Sequence, residues 1–128
     1  MDKKPKEWLE QAEYDMDTAE YMFDGGRFFY SVFMCHLSIE KALKGMYVQK
    51  LKDTPPKTHN LIFLVEKIGI KLPDDLYDFV YTLNGVSVPT RYPDDLKQLL
   101  KSFDKAKTIR VLKKSKEVLR WLNARLEK

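Results

Sequence analysis

Residues 25–51 read GGRFFYSVFMCHLSIEKALKGMYVQKL. Between residues 27 and 52 there is no Pro, and no Gly before Gly45, so nothing breaks a helix early. Apolar residues such as Phe29, Val32, Cys35, Ile39, Leu43 and Met46 share this run with Phe28, Phe33, Leu37, Tyr47 and Leu51, and together they cover most of a helix circumference. A surface helix carries one apolar stripe, whereas a helix apolar nearly all round is enclosed by several neighbours or by another chain. The stretch therefore predicts the central helix of an all-α fold.

The flanking sequence extends that reading. Pro5 opens a first helix, and Trp8, Leu9, Ala12, Met16, Ala19 and Phe23 recur at helical spacing. Its opposite face carries Glu7, Glu10, Glu13, Asp17 and Glu20. Asp24-Gly25-Gly26 ends it, and two helices joined so closely predict an antiparallel hairpin. Asp53-Thr54-Pro55-Pro56-Lys57 is a loop, because consecutive prolines oppose helix. Thr58 then reads as the N-cap of a short helix over residues 59–67, stopped at Gly69. Pro73-Asp74-Asp75 starts another, with Leu76, Phe79, Val80 and Leu83 as its apolar face and Asn84-Gly85 as its end. Residues 86–93 read as irregular, and Asp94 or Asp95 caps a turn running toward Lys101. A last long helix starts at Ser102 or Asp104, with Ile109, Leu112, Leu119, Leu122 and Leu126 as its stripe and Val118 and Trp121 beside it. No segment alternates apolar and polar as a strand would. The expectation is a single-domain, up-and-down bundle of about five helices over residues 1–128.

Composition narrows the class. Hydrophobic residues are 44% of the 128 and charged residues 33%, a balance that supports a packed core. The lone Cys35 excludes an intramolecular disulfide and a CxxC zinc site, and it reads as a small buried hydrophobe. No apolar run reaches signal-peptide length at the start, or the ~18–20 residues of a membrane span. A cytoplasmic protein away from membranes is the expectation. The net charge of +4 is unevenly spread: residues 97–128 hold 11 Lys and Arg against 3 acids, and residues 1–96 hold 12 against 16. Such a basic segment suits a polyanion, although no aromatic residues interleave with its lysines to stack bases. The acid-rich first helix is the better match for it, if the two lie side by side.

Three clusters carry polar groups that chemistry can use. His36, Glu40 and Lys44 follow one another at i+4 in the central helix, with Lys41 beside them. On so apolar a helix, this stripe faces solvent or lines a cleft. Lys57-Thr58-His59-Asn60 puts a histidine at a helix start, where the helix dipole favours the neutral ring. The stretch TRYPDD, residues 90–95, sets Arg91 and Tyr92 before Pro93, which pushes Tyr92 into an extended conformation. A guanidinium fork and an aromatic face on a stiff segment suit phosphate and base, while an internal salt bridge for Arg91 is the plainer reading. Two His and one Cys without ligand spacing make no metal site, and no glycine-rich phosphate loop is present.

In that order, IEKALK at residues 39–44, KTHNL at 57–61 and RYPD at 91–94 resemble the HEPN domain family over nearly the whole chain. The resemblance implies a helical bundle, often a homodimer, linked to nucleotides or RNA. It also implies pairing with a minimal nucleotidyltransferase protein, in the manner of a toxin–antitoxin pair. Some members of the family are metal-independent ribonucleases that use an Arg, four to six intervening residues and a His. Here the positions after Arg27 hold Val32, Phe33 and Met34, and those after Arg91 hold Leu96, Lys97 and Gln98, so that arrangement is absent. The leading expectation is a binding module without cofactor or catalytic residues. Its ligand residues would be Arg91, Tyr92, His59, Lys44, Glu40 and Lys57. A ribonuclease of atypical layout, with His59 or His36 as acid–base and Arg91 stabilising the phosphorane, is the second reading. A purely structural interaction protein is the third.

Overall fold

The computed structural model describes residues 3–86 and 96–126. Its helices are α1 (Pro5–Asp24), α2 (Phe28–Leu51), α3 (Leu61–Ile68), α4 (Asp74–Gly85), α5 (Leu96–Ser102) and α6 (Lys105–Arg125). The described residues form no strand. The long α2 packs most extensively on α1, then on α6 and α3, and also touches α5. Enclosure from several sides explains why its sequence is apolar nearly all round: Phe29, Val32, Cys35, Ile39, Leu43 and Met46 are all buried.

Small residues set how closely α1 and α2 approach. Ser31 Oγ donates to the Ala19 carbonyl at 2.7 Å, and Ser38 Oγ donates to the Ala12 carbonyl at 2.6 Å. One further step of seven along α2 is Gly45. A Cβ there would stand 3.0 Å from Trp8 Cβ and 3.3 Å from the Pro5 carbonyl oxygen. Ser31, Ser38 and Gly45 thus run past Ala19, Ala12 and Pro5 in antiparallel register, a repeat of seven in both helices. A seven-residue period keeps one seam facing its partner along a pair of slightly supercoiled helices. Both serines are fully buried, yet their hydroxyls have acceptors, so their burial carries little penalty.

Local chemistry places the helix ends. Glu7 reaches back to the Lys4 N–H at 2.8 Å, and Pro5 occupies the first turn of α1. Gly26, at φ 77°, makes the turn into α2 in the left-handed region that a side chain disfavours. Asp104 caps α6 by accepting the Lys107 N–H at 2.8 Å. The expected short helix after the proline loop is present, but it begins two residues later. Asn60, not Thr58, is its N-cap, accepting the Phe63 N–H at 3.0 Å, while Thr58 Oγ1 accepts the Asn60 N–H at 3.1 Å. The stretch read as a turn toward Lys101 is instead the short helix α5, which brings the helices among the described residues to six.

The basic last helix is only partly matched by its own chain. Lys116 Nζ lies 2.6 Å from Glu20 Oε2 on α1. Lys114 Nζ lies 2.9 Å from Asp75 Oδ2 on α4, which holds the Asp75 carboxyl below its usual range. Lys105, Lys107, Arg110, Lys113 and Arg120 are exposed.

Candidate functional site

The polar stripe of α2 is buried, neither a solvated edge nor an open wall. His36 is 0% exposed, Glu40 4% and Lys44 9%. Neighbouring helices cover it because α2 is central. A carboxylate in such a place costs several kcal/mol unless opposite charge and hydrogen bonds surround it. Here they do. Lys44 Nζ donates to Glu40 Oε2 at 3.0 Å, one turn along the helix. His59 Nδ1 lies 3.0 Å from Glu40 Oε1, and His36 Nδ1 lies 3.8 Å from the same oxygen. Glu40 is thus the hub of the cluster, joining α2 to the segment that precedes α3. Lys44 Nζ also lies 6.0 Å from the Trp8 ring centroid, so the cluster extends toward α1. A second buried carboxylate, Asp15 on α1, meets Lys41 Nζ at 2.9 Å.

Within this group His59 is the part open to solvent, with its side chain 56% exposed against 5% for Glu40. A half-exposed imidazole oriented by a buried carboxylate has one nitrogen committed and the other face accessible. That arrangement can donate to a ligand, accept from one, or exchange a proton. Lys44 faces Glu40, and its side chain is only 11% exposed. A ligand approaching the cluster meets His59 before Lys44. Lys57 is exposed two residues before His59. Among the described residues, no three His, Cys, Asp or Glu side chains are grouped as a metal ion requires. Arg91 and Tyr92 lie outside the described residues.

Of the six residues expected at a site, three come together: Glu40, Lys44 and His59. Sequence reasoning missed Asn84, which had been read only as the end of α4. Its Oδ1 accepts the Leu61 N–H at 2.8 Å, and its Nδ2 donates to Asn60 Oδ1 at 3.1 Å. The signal was an Asn at both places, since Asn offers a donor and an acceptor together.

Elsewhere, burial pushes the Cys35 thiol up to about 12, although Ser115 and Lys116 lower it somewhat. No helix is long and apolar enough to cross a membrane among the described residues.

No curated protein matches the chain by sequence. Two solved folds are similar. One is TT1696 from Thermus thermophilus, with a TM-score of 0.81, 22% identity, and 95% of this chain and 98% of that chain covered. The other is ST0689, described as an archaeal HEPN homologue, with a TM-score of 0.79, 23% identity, and 98% and 100% covered. At such identities the likeness speaks for the fold. The sequence profile of the HEPN domain matches residues 5–125, a span that takes in all six helices. The chain therefore belongs to the HEPN domain family, a family of nucleotide- and RNA-related modules.

Proposed function

We propose that this protein is a binding module for a phosphate-bearing ligand, a nucleotide or single-stranded RNA, and acts as the partner of a minimal nucleotidyltransferase. The observation that carries the reading is the Glu40-centred cluster. Lys44 and two histidines are gathered around Glu40, and of these groups only His59 is substantially exposed. A buried charged network adds little net stability over an apolar core, and on this reading it serves the ligand. The chain leaves α4 directly after Asn84, which is bonded to Asn60 beside His59, and runs on to Arg91 and Tyr92 seven and eight residues later. On this reading Arg91 pairs with phosphate through its planar fork, Tyr92 stacks on a base, and Lys57 adds charge at the rim. The protein binds rather than cleaves, because neither Arg27 nor Arg91 is followed by a His at the required spacing.

The reading also takes the protein as a cytoplasmic homodimer, with 1–128 as one domain. Tyr14 and Tyr21 on α1 are 73% and 76% exposed, and Tyr30 at the start of α2 is 49% exposed, so the hairpin offers aromatic surface to a second copy.

The test is co-purification from the native cell at low salt, followed by mass spectrometry of bound protein and nucleotide. A nucleotidyltransferase chain or a phosphate-bearing nucleotide in stoichiometric amount supports the proposal. Recovery of the protein alone, together with no binding of ATP or of a short mixed-sequence RNA oligonucleotide in titration, overturns it.

A further inference from the structure

His59 stands on Glu40 although its own side chain is more than half exposed, so packing does not hold it there. What fixes it is the backbone on either side. Downstream, Asn60 caps α3 through the Phe63 N–H at 3.0 Å. Asn84, from the last turn of α4, then closes a second link. It accepts the Leu61 N–H at 2.8 Å and donates to the same Asn60 Oδ1 at 3.1 Å. The amide orientation follows from chemistry, since the Leu61 N–H can only donate and Asn60 Oδ1 can only accept. Upstream, Thr58 Oγ1 accepts the Asn60 N–H at 3.1 Å. The residue between these two anchors is His59.

An ordinary helix cap needs one acceptor from its own chain neighbour, and Asn60 already supplies it. Asn84 adds a bond from another helix, and it grips the cap residue itself. We infer that Asn84 is a positioning residue: it acts through Asn60 to hold the His59 imidazole against Glu40, with Nδ1 as the protonated nitrogen of the neutral ring. Its bearing on ligand binding rests on the function proposed above. Its bearing on His59 rests on geometry alone.

The neutral imidazole of a free histidine favours the Nε2–H form, and a hydrogen bond to a carboxylate at Nδ1 reverses that preference. Nitrogen NMR of the ring therefore reads the contact directly. In the unaltered protein His59 is expected as the Nδ1–H tautomer, and Glu40→Gln is the reference for loss of the carboxylate. Asn84→Ala is expected to move His59 toward the Nε2–H form. It should also weaken binding of a short mixed-sequence RNA oligonucleotide or ATP by roughly fivefold or more, measured well below both melting temperatures. Asn84→Asp keeps an acceptor for the Leu61 N–H, while it replaces the donor to Asn60 by an acceptor and adds a negative charge. It guards against a misfolded alanine variant and is expected to shift His59 in the same direction. A lowered melting temperature with the His59 ring spectrum unchanged in both variants would make Asn84 a plain structural cap and overturn the inference. If the unaltered protein binds neither probe, the proposed ligand falls, and the ring spectra still decide whether Asn84 positions His59.

Discussion

Glu40 is the residue on which most of the site depends. Its carboxylate is 5% exposed and meets Lys44 at 3.0 Å and His59 at 3.0 Å. Removing it leaves the Lys44 ammonium in a nearly closed site without its carboxylate. Glu40→Ala is expected to lower unfolding free energy by about 3–5 kcal/mol, as for one partner of a buried pair. Urea unfolding followed by circular dichroism checks it, and a loss below about 1 kcal/mol, the scale of an exposed pair, would contradict the hub role. Cys35 is the opposite case: a reactive group kept inert. It is 0% exposed and its thiol is raised to about 12, so at pH 8 almost none is thiolate. Labelling of the native protein at pH 8 is expected to be far slower than that of the urea-unfolded chain. Equal rates would place Cys35 at the surface. The i+4 spacing of His36, Glu40 and Lys44 was legible as a stripe, but spacing says only that side chains share a face, and which neighbours cover that face is a tertiary fact.

At the scale of elements, ends were more legible than partners. Pro5, Gly26 and Asp104 act through local backbone chemistry, and each marks a boundary where the sequence suggested one. Thr58 and Asn60 are both capable caps two residues apart, and the choice went to Asn60, which also receives a bond from Asn84. No local rule contains that bond. The stretch Leu96–Ser102, read as a turn toward Lys101, is a seven-residue helix between Pro93 and the capping residue Asp104. The seam of Ser31, Ser38 and Gly45 leaves no trace in the apolar periodicity, because the contact is made by small residues. It leads to a prediction against ordinary helix propensity. In an exposed helix, Gly→Ala stabilises by about 1 kcal/mol. At Gly45 the new methyl meets Trp8 Cβ at 3.0 Å and the Pro5 carbonyl at 3.3 Å, neither of them the free end of a flexible side chain. Gly45→Ala is expected to destabilise by about 1–3 kcal/mol and to shift Trp8 fluorescence as the start of α1 moves away. A gain in melting temperature would show that the two helices have room to spare.

For the whole molecule, the all-α class followed from one stretch, because a central helix apolar on every side implies helices around it. Assembly is the open consequence. Tyr14 and Tyr21 on α1 and Tyr30 on α2 are exposed, and the half-buried Met34 and Leu37 follow Tyr30 at helical spacing. A homodimer is expected, and multi-angle light scattering at high micromolar concentration checks it. A monomer mass there would contradict it.

On the proposed function, the Arg91–Tyr92 segment serves a ligand rather than stability. Arg91→Ala, assayed for both properties at once, tests this most directly. If Arg91 pairs with phosphate, the melting temperature barely moves, while affinity for a short mixed-sequence RNA oligonucleotide or for ATP falls by ~1.5–3 kcal/mol, the scale of a lost charge-assisted hydrogen bond. If Arg91 instead neutralises a buried acid of its own chain, stability falls by ~3–5 kcal/mol. A large drop in melting temperature with unchanged binding is the result that would contradict the ligand role.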